Sequence, residues 1–212
     1  MKKYELTGEC KVYFGVTLRR IKSLIDFSDV KKGELGGFIE KEENLSHGGD
    51  AWVYGNARVS GNARVYGDAW VYGNARVSGN ARVYDDARVY GNARVYGNAR
   101  VSGNARVYGD ARVSSNARVS GNARVYDDAR VSGDARVSGN ADYVLIGRIG
   151  SRFGFTTFFR NKNNEIYVSC GCFLGTLAKF RKKVKETHGT DTKYAKVYQA
   201  AADLAEMQIL NK

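Results

Sequence analysis

Between residues 51 and 140 apolar and polar positions recur with a period of six: Ala, one outward residue, Val, then three polar residues, fifteen times with no insertion. The majority unit is Ala-Arg-Val-Tyr-Gly-Asn, with Trp for Arg twice, Ser for Tyr seven times, and Asp or Ser among the turn residues. An extended backbone sends Ala and Val to one side and the residue between them to the other. Gly, Asn and Asp then turn the chain, because they tolerate positive φ. Six residues are too few for a hairpin or a helical pair but match one short strand and one corner of a parallel β-helix.

The Tyr/Ser position sets the number of units per coil. Sampled every eighteen residues it gives Tyr54, Tyr72, Tyr90, Tyr108 and Tyr126, whereas the other two registers mix Tyr with Ser. Eight of the fifteen positions are Tyr, so five in one register point to three units per coil and a triangular prism of five coils filled by Ala and Val. In the same columns the strand centres beside these tyrosines are Trp52, Trp70, Arg88, Arg106 and Arg124. The other two faces carry unbroken arginine columns, from Arg58 to Arg130 and from Arg64 to Arg136.

The flanks follow other periods. Cys10, Val12, Phe14, Val16 and Leu18 alternate with Lys11, Tyr13, Gly15 and Thr17, which predicts a half-buried strand. Residues 19–27 fit a strand or a short helix. Residues 33–50 span one coil's length, and Ile39 and Leu45 share the register of the repeat's Ala, so residues 1–50 read as an N-terminal β-rich cap with a degenerate first coil.

After residue 142 the hexad is gone. Apolar runs at Tyr143 to Ile149, Phe153 to Phe159 and Glu165 to Phe173 predict three strands. Phe173, Leu177, Phe180 and Val184 share one helix face, which Gly189 ends. Thr190 or Asp191 caps a second helix with the face Tyr194, Val197, Tyr198, Ala201, Leu204 and Ala205. Residues 51–142 are thus the repeat β-helix and residues 143–212 a small α+β domain of order β-β-β-α-α.

Charge adds a bias toward acidic partners. The net charge is +12, balanced over residues 1–50 and placed as +5 on the repeats and +7 on residues 143–212. With no apolar run near eighteen residues and no signal-peptide pattern after Met1-Lys2-Lys3, the expectation is a cytoplasmic protein without a membrane anchor. Three cysteines, Cys10, Cys170 and Cys172, lack a disulfide-framework spacing and agree with a reducing compartment.

The Val-x-x-x-Ala-x hexad resembles the repeat of left-handed parallel β-helix proteins, which include the hexapeptide acyltransferases. The near-perfect Gly-Asn-Ala-Arg-Val-Tyr form, preceded by Gly-Glu-Leu-Gly-Gly-Phe-Ile-Glu-Lys-Glu-Glu-Asn-Leu-Ser-His from Gly33 to His47, resembles uncharacterised phage and prophage proteins. The resemblance implies a mainly β fold, a left-handed parallel β-helix of about five to six coils, and for a phage protein the host cytoplasm. It also raises an acyltransferase reading, in which a histidine acts as general base beside a loop extruded from the helix.

Fifteen hexads offer no such loop, and the chain has only His47 and His188. His47 falls in the repeat's Val register, as a capping residue of the first coil would. His188 precedes Gly189, where an imidazole meets free helix carbonyls. Cys170-Gly-Cys172 has no second cysteine pair and reads as two semi-buried thiols on a strand, and Asp85-Asp86 and Asp127-Asp128 occupy different columns, so no metal site and no cofactor are expected.

Two surfaces remain as candidates. One is the wall of Trp52, Tyr54, Trp70, Tyr72, Arg88, Tyr90, Arg106, Tyr108, Arg124 and Tyr126, residue types enriched at interface centres, which suggests a self-association face giving a dimer or trimer. The same wall also fits a nucleic-acid track, or a stabilising ladder with no partner. The other is Lys179, Arg181, Lys182, Lys183 and Lys185 on the first C-terminal helix. The expected function is therefore a non-catalytic phage or prophage accessory protein: the β-helix is a rigid oligomerisation platform and the basic C-terminal domain binds a protein partner, such as a host defence factor. The alternatives are a hexapeptide-type acyltransferase and a nucleic-acid-binding module.

Overall fold

The computed structural model describes residues 1–210. Its elements are β1 (Tyr4–Tyr13), β2 (Val16–Ser23), β3 (Leu35–Ile39), fifteen two-residue strands from β4 (Trp52–Val53) to β18 (Arg136–Val137), then β19 (Tyr143–Ile149), β20 (Gly154–Arg160), β21 (Ile166–Cys170), β22 (Phe173–Thr176), α1 (Leu177–His188) and α2 (Lys193–Leu210).

Each short strand pairs in parallel with the strand eighteen residues away, as Arg88 with Arg106 and Val89 with Val107. The fifteen strands sort into three flat faces. Face I carries Trp52, Trp70, Arg88, Arg106 and Arg124; face II begins at Arg58 and face III at Arg64. The Ala and Val of the hexads point inward and have at most 1% exposure, so the fifteen hexads fill the prism with two small residue types.

Corners stack as regularly as strands. The Ala57 N–H donates to Tyr54 O at 3.2 Å across its corner, and the Asn56 N–H donates to Gly73 O of the next coil at 3.0 Å. The first turn residue needs positive φ: Gly97 sits at +70°, and a Cβ there would lie 2.9 Å from the Ser115 nitrogen. Along one edge the side chains form a one-way amide ladder. Lys41 Nζ donates to Asn62, and Asn62, Asn80, Asn98 and Asn116 each donate onward at 3.1–3.4 Å, ending on Asp134. Lys162 holds that carboxylate from the far side at 2.9 Å.

The N-terminal cap differs from the sequence expectation in two ways. Residues 10–18 are not one strand but the tip of an antiparallel hairpin, with Tyr13 opposite Val16 and both Phe14 (φ 49°) and Gly15 (φ 78°) in the left-handed region. Two-residue hairpin loops require this geometry, which the alternating pattern masks. The first coil is also longer than eighteen residues: Ile39 pairs with Val59 and Leu45 bridges Val65, so both occupy the Val position and not that of Ala. The two extra residues lie in the corner Ser46 to Asp50, which is where His47 projects.

The C-terminal module has four strands, in the antiparallel order β19-β20-β21-β22, followed by two helices. The run read as Glu165 to Phe173 breaks at Gly171 (φ 59°), so Cys170 pairs with Phe173 around a tight turn and Cys172 lies in that turn. Thr176 caps α1 by accepting from the Lys179 N–H, and Thr192, in place of Thr190 or Asp191, caps α2 by accepting from the Ala195 N–H. The buried face of α2 is Ala195, Ala201, Ala202, Ala205 and Ile209, while Tyr194 and Leu204 are exposed.

Strand β20 joins the two regions. Its alternation places Phe159 in the solenoid core and Phe158 in the module's own core. Arg160, which follows, has Nε 3.3 Å from buried Asp142 at the solenoid end and donates to the Ile209 carbonyl of α2. Asp142 in turn accepts from the N–H groups of Ser138 and Gly139 at 2.8 and 2.9 Å.

Candidate functional site

Face I is less open than its sequence implies. Trp52 is fully buried beneath Tyr4 and Phe27, whose rings meet it edge-on at 6.2 and 5.4 Å, so it is not available to a partner. The N-terminal segment supplies this cover, and a column read within the repeats alone cannot show it. Lys3, also buried, donates to the Gly49 and Ala51 carbonyls at 2.9 and 2.8 Å, and burial lowers its pKa to about 8 against the pull of Asp50 and Asp68.

The tyrosine column is a ladder. Tyr72, Tyr90, Tyr108 and Tyr126 stack at 4.8, 4.9 and 5.5 Å, the first two pairs within 3° of parallel, and Tyr143 closes the stack edge-on at 6.3 Å. The ring faces between neighbours are spent on one another, so no base can insert between them. Burial raises the hydroxyl pKa of Tyr72 and Tyr108, with the neighbouring tyrosine adding to it. What face I shows to solvent is Tyr54, half-buried Trp70, ring edges, and the exposed side chains of Arg88, Arg106 and Arg124.

His47 lies on a groove of about 640 Å³ lined also by Glu42, Glu43, Ser46, Arg64, Tyr66 and Arg82. Its Nδ1 accepts the Lys3 N–H at 3.2 Å, its Nε2 is 3.9 Å from a Glu42 oxygen, and its ring stacks on Tyr4 at 4.4 Å. Burial lowers its pKa, opposed by Glu42. The neutral ring therefore carries its proton on Nε2 and has its lone pair engaged at Nδ1. A general base needs that lone pair free, so the geometry is that of a cap residue.

The basic helix divides. Arg181 is not free for a partner: it donates to Gln199 at 2.8 Å, Asp203 at 2.7 Å and Glu206 at 2.8 Å, strapping α1 to α2. Lys182 and Lys183 sit 3.9 and 3.8 Å from Glu186, and Lys179 and Lys185 are exposed.

Lys183 also borders a feature the sequence reading missed, a cleft of about 480 Å³ between the sheet and α1 and α2. Phe155, Phe173, Phe180 and Val184 give it an apolar lining, Arg152 and Lys183 supply cations, and Cys170, His188 and Tyr198 supply polar groups. Thr156 Oγ1 lies 3.2 Å from Cys170 Sγ, the Tyr198 hydroxyl lies 4.0 Å from the same sulfur, and His188 stacks on Tyr198 at 5.7 Å. Burial and then the nearby thiol push the Tyr198 pKa up to about 12. Gly150 makes room for this tyrosine, since a Cβ there would fall 1.8 Å from its hydroxyl. The only sequence signal was the clustering of Cys170, Cys172 and His188 in one short domain, and each has an ordinary structural explanation by itself.

The repeat tract matches the family model described as YdcK Beta solenoid repeat in ten stretches, eight that overlap from 51–67 through 99–115 and then 117–133 and 129–141. The chain is similar to the Uncharacterized acetyltransferase YdcK of Escherichia coli (strain K12), 35% identical over 82 residues that cover 32% of this chain and 25% of the relative. It thus spans a quarter of that relative's length. The chain is a hexapeptide-repeat β-helix protein, and no helix among the described residues is long and apolar enough to cross a membrane.

Proposed function

We propose that the chain is a non-catalytic binding protein in which the solenoid is a rigid stem and the C-terminal module holds the partner. The observation that carries this reading is the cleft of about 480 Å³, an apolar lining flanked by Arg152 and Lys183, on a molecule whose fifteen hexads carry no protruding loop. Such a cleft suits a protein segment that presents an aromatic or aliphatic side chain next to a carboxylate. Self-association through face I is not part of the proposal. With Trp52 covered, a second copy would set Arg88, Arg106 and Arg124 against the same arginines.

The test is a backbone-amide NMR titration with a short peptide containing Phe beside Glu. Shifts at Gly154, Gly171 and Val184 that disappear in Phe173→Ala and weaken in Lys183→Glu are expected; no shift at these positions for any such peptide rejects the reading.

A second reading, acyl transfer, is favoured by one observation, the similarity to the Uncharacterized acetyltransferase YdcK of Escherichia coli (strain K12). It predicts that acetyl-CoA raises the melting temperature and that His47→Ala removes acetyl transfer. The binding reading predicts neither effect.

A further inference from the structure

The thirteen arginines of the repeats form no ion pair with an acidic side chain anywhere among the described residues. Within a column they stand one coil apart, about 4.8 Å, and like charges at that spacing repel. On two of the faces arginines are replaced or engaged. Face I replaces its first two arginines with Trp52 and Trp70. On face II the Tyr13 ring lies against Arg58 and Arg76 at 4.4 and 4.7 Å, and Arg130 reaches the Gly171 carbonyl at 3.5 Å. The corner that faces I and II share ends in Asp110 and Asp128.

Face III carries arginine in every coil, as face II does, but none of its five side chains hydrogen-bonds to a partner or stacks on a ring among the described residues. Acidic groups gather beside its first two arginines and at its far end: Glu42 and Glu43 line the groove at Arg64, Asp68 follows Arg64, Asp85 and Asp86 follow Arg82 with Asp85 accepting the Gly103 N–H at 3.0 Å, and Asp134 precedes Arg136 but is paired with Lys162. Arg100, Arg118 and Arg136 are each followed by a neutral Ser-Gly-Asn corner, and Asn98 and Asn116 border the other edge.

We infer that face III, centred on Arg100, Arg118 and Arg136, binds the phosphate backbone of duplex nucleic acid without reading its sequence. Guanidinium forks match phosphate oxygens two at a time. Three arginines spanning two steps of about 4.8 Å cover about 10 Å. A duplex laid along the stem presents one charge per roughly 1.7 Å, so about six phosphates, of which about three face the protein. Single strands are disfavoured, since their affinity relies on bases stacking on open aromatic faces and the corners that follow Arg100, Arg118 and Arg136 carry Ser102, Ser120 and Ser138 in the aromatic position. This inference concerns a surface of the stem and stands or falls separately from the cleft.

The test is fluorescence anisotropy of the full chain with a labelled twenty-base-pair duplex of mixed sequence across a salt series. Three neutralised phosphates predict a slope of log K against log salt of about −2.7. Arg100→Gln with Arg118→Gln should reduce that slope by about 1.8 and weaken binding at least tenfold at low salt. The matched pair on face II, Arg94→Gln with Arg112→Gln, should change affinity less than twofold. Arg100→Lys with Arg118→Lys keeps the charge and should keep the slope, which separates lost contact from lost fold. Equal losses from the two Gln pairs, equal or tighter binding of a single strand of the same length, or stronger retention on a sulfated polysaccharide than on the duplex would each overturn the assignment.

Discussion

The solenoid and the C-terminal module stabilise themselves in opposite ways. In the solenoid one environment recurs fifteen times, and every Val and Ala contributes a small, equal share. In the module each core residue is used once: Phe180 meets Phe158 edge-on at 5.8 Å, Tyr198 edge-on at 5.7 Å and Phe173 at 5.6 Å. A repeat array distributes its stability over nearest-neighbour interfaces, whereas a small globular core concentrates it in a few large side chains. Regularity makes the stem uniform and chemically plain; irregularity gives the module its cleft.

Substitutions can break this comparison. The largest effect is expected from Val101→Asp, which buries a carboxylate in the narrow core with no polar partner and should abolish the cooperative β transition in thermal circular dichroism. Next is Phe180→Ala, at about 3–5 kcal/mol. Hydrogen exchange should then show the amides of β20 to α2 losing protection while those of the central coils keep theirs; loss across the whole chain would mean the two regions fold as one unit. Gly97→Ala places a Cβ at positive φ against the Ser115 backbone and should cost about 1–3 kcal/mol by chemical denaturation. Asp85, Ser115 and Asp127 already tolerate that corner conformation, so a much smaller cost would show that the coils give way locally.

The smallest effect concerns the cap. Lys3 has a folded pKa of about 8, below its unfolded value of 10.5, so the unfolded chain binds more protons between these limits. The burden of a buried ammonium is present below about pH 8 and is relieved as pH rises from there toward 10.5. Protection of the amides near Trp52 should therefore increase over that window relative to Lys3→Met, and a flat difference would rule out the linkage.

Legibility followed the same division. Period, coil number, strand pairing and the three columns were readable because a repeat exposes its contacts as spacing: Arg88 opposite Arg106 is arithmetic. The burial of Trp52 was not readable, because its cover comes from Tyr4 and Phe27, far upstream and outside any period. Nor was the slip that puts Ile39 and Leu45 in the Val column, since a five-residue corner looks like a three-residue one until the pairing is known. The cleft was hidden for a related reason. Cys170, Lys183 and Tyr198 meet only through tertiary packing, and the Gly171 turn that aims Cys170 reads in sequence as part of a longer strand.

The amide ladder from Lys41 to Asp134 makes the stem a graduated ruler. All its donors point one way, and only its two ends are chemically distinct, Lys41 at the start and Asp134 with Lys162 at the finish. Removing or adding eighteen residues keeps every rung matched and moves the module by about 4.8 Å along the axis. A single hexad would leave the Ala and Val core intact, yet turn the module by about a third of a revolution and break the continuous tyrosine column. Length in this molecule is therefore adjustable in whole coils only, which changes how far the module stands from its cap while keeping the direction it faces.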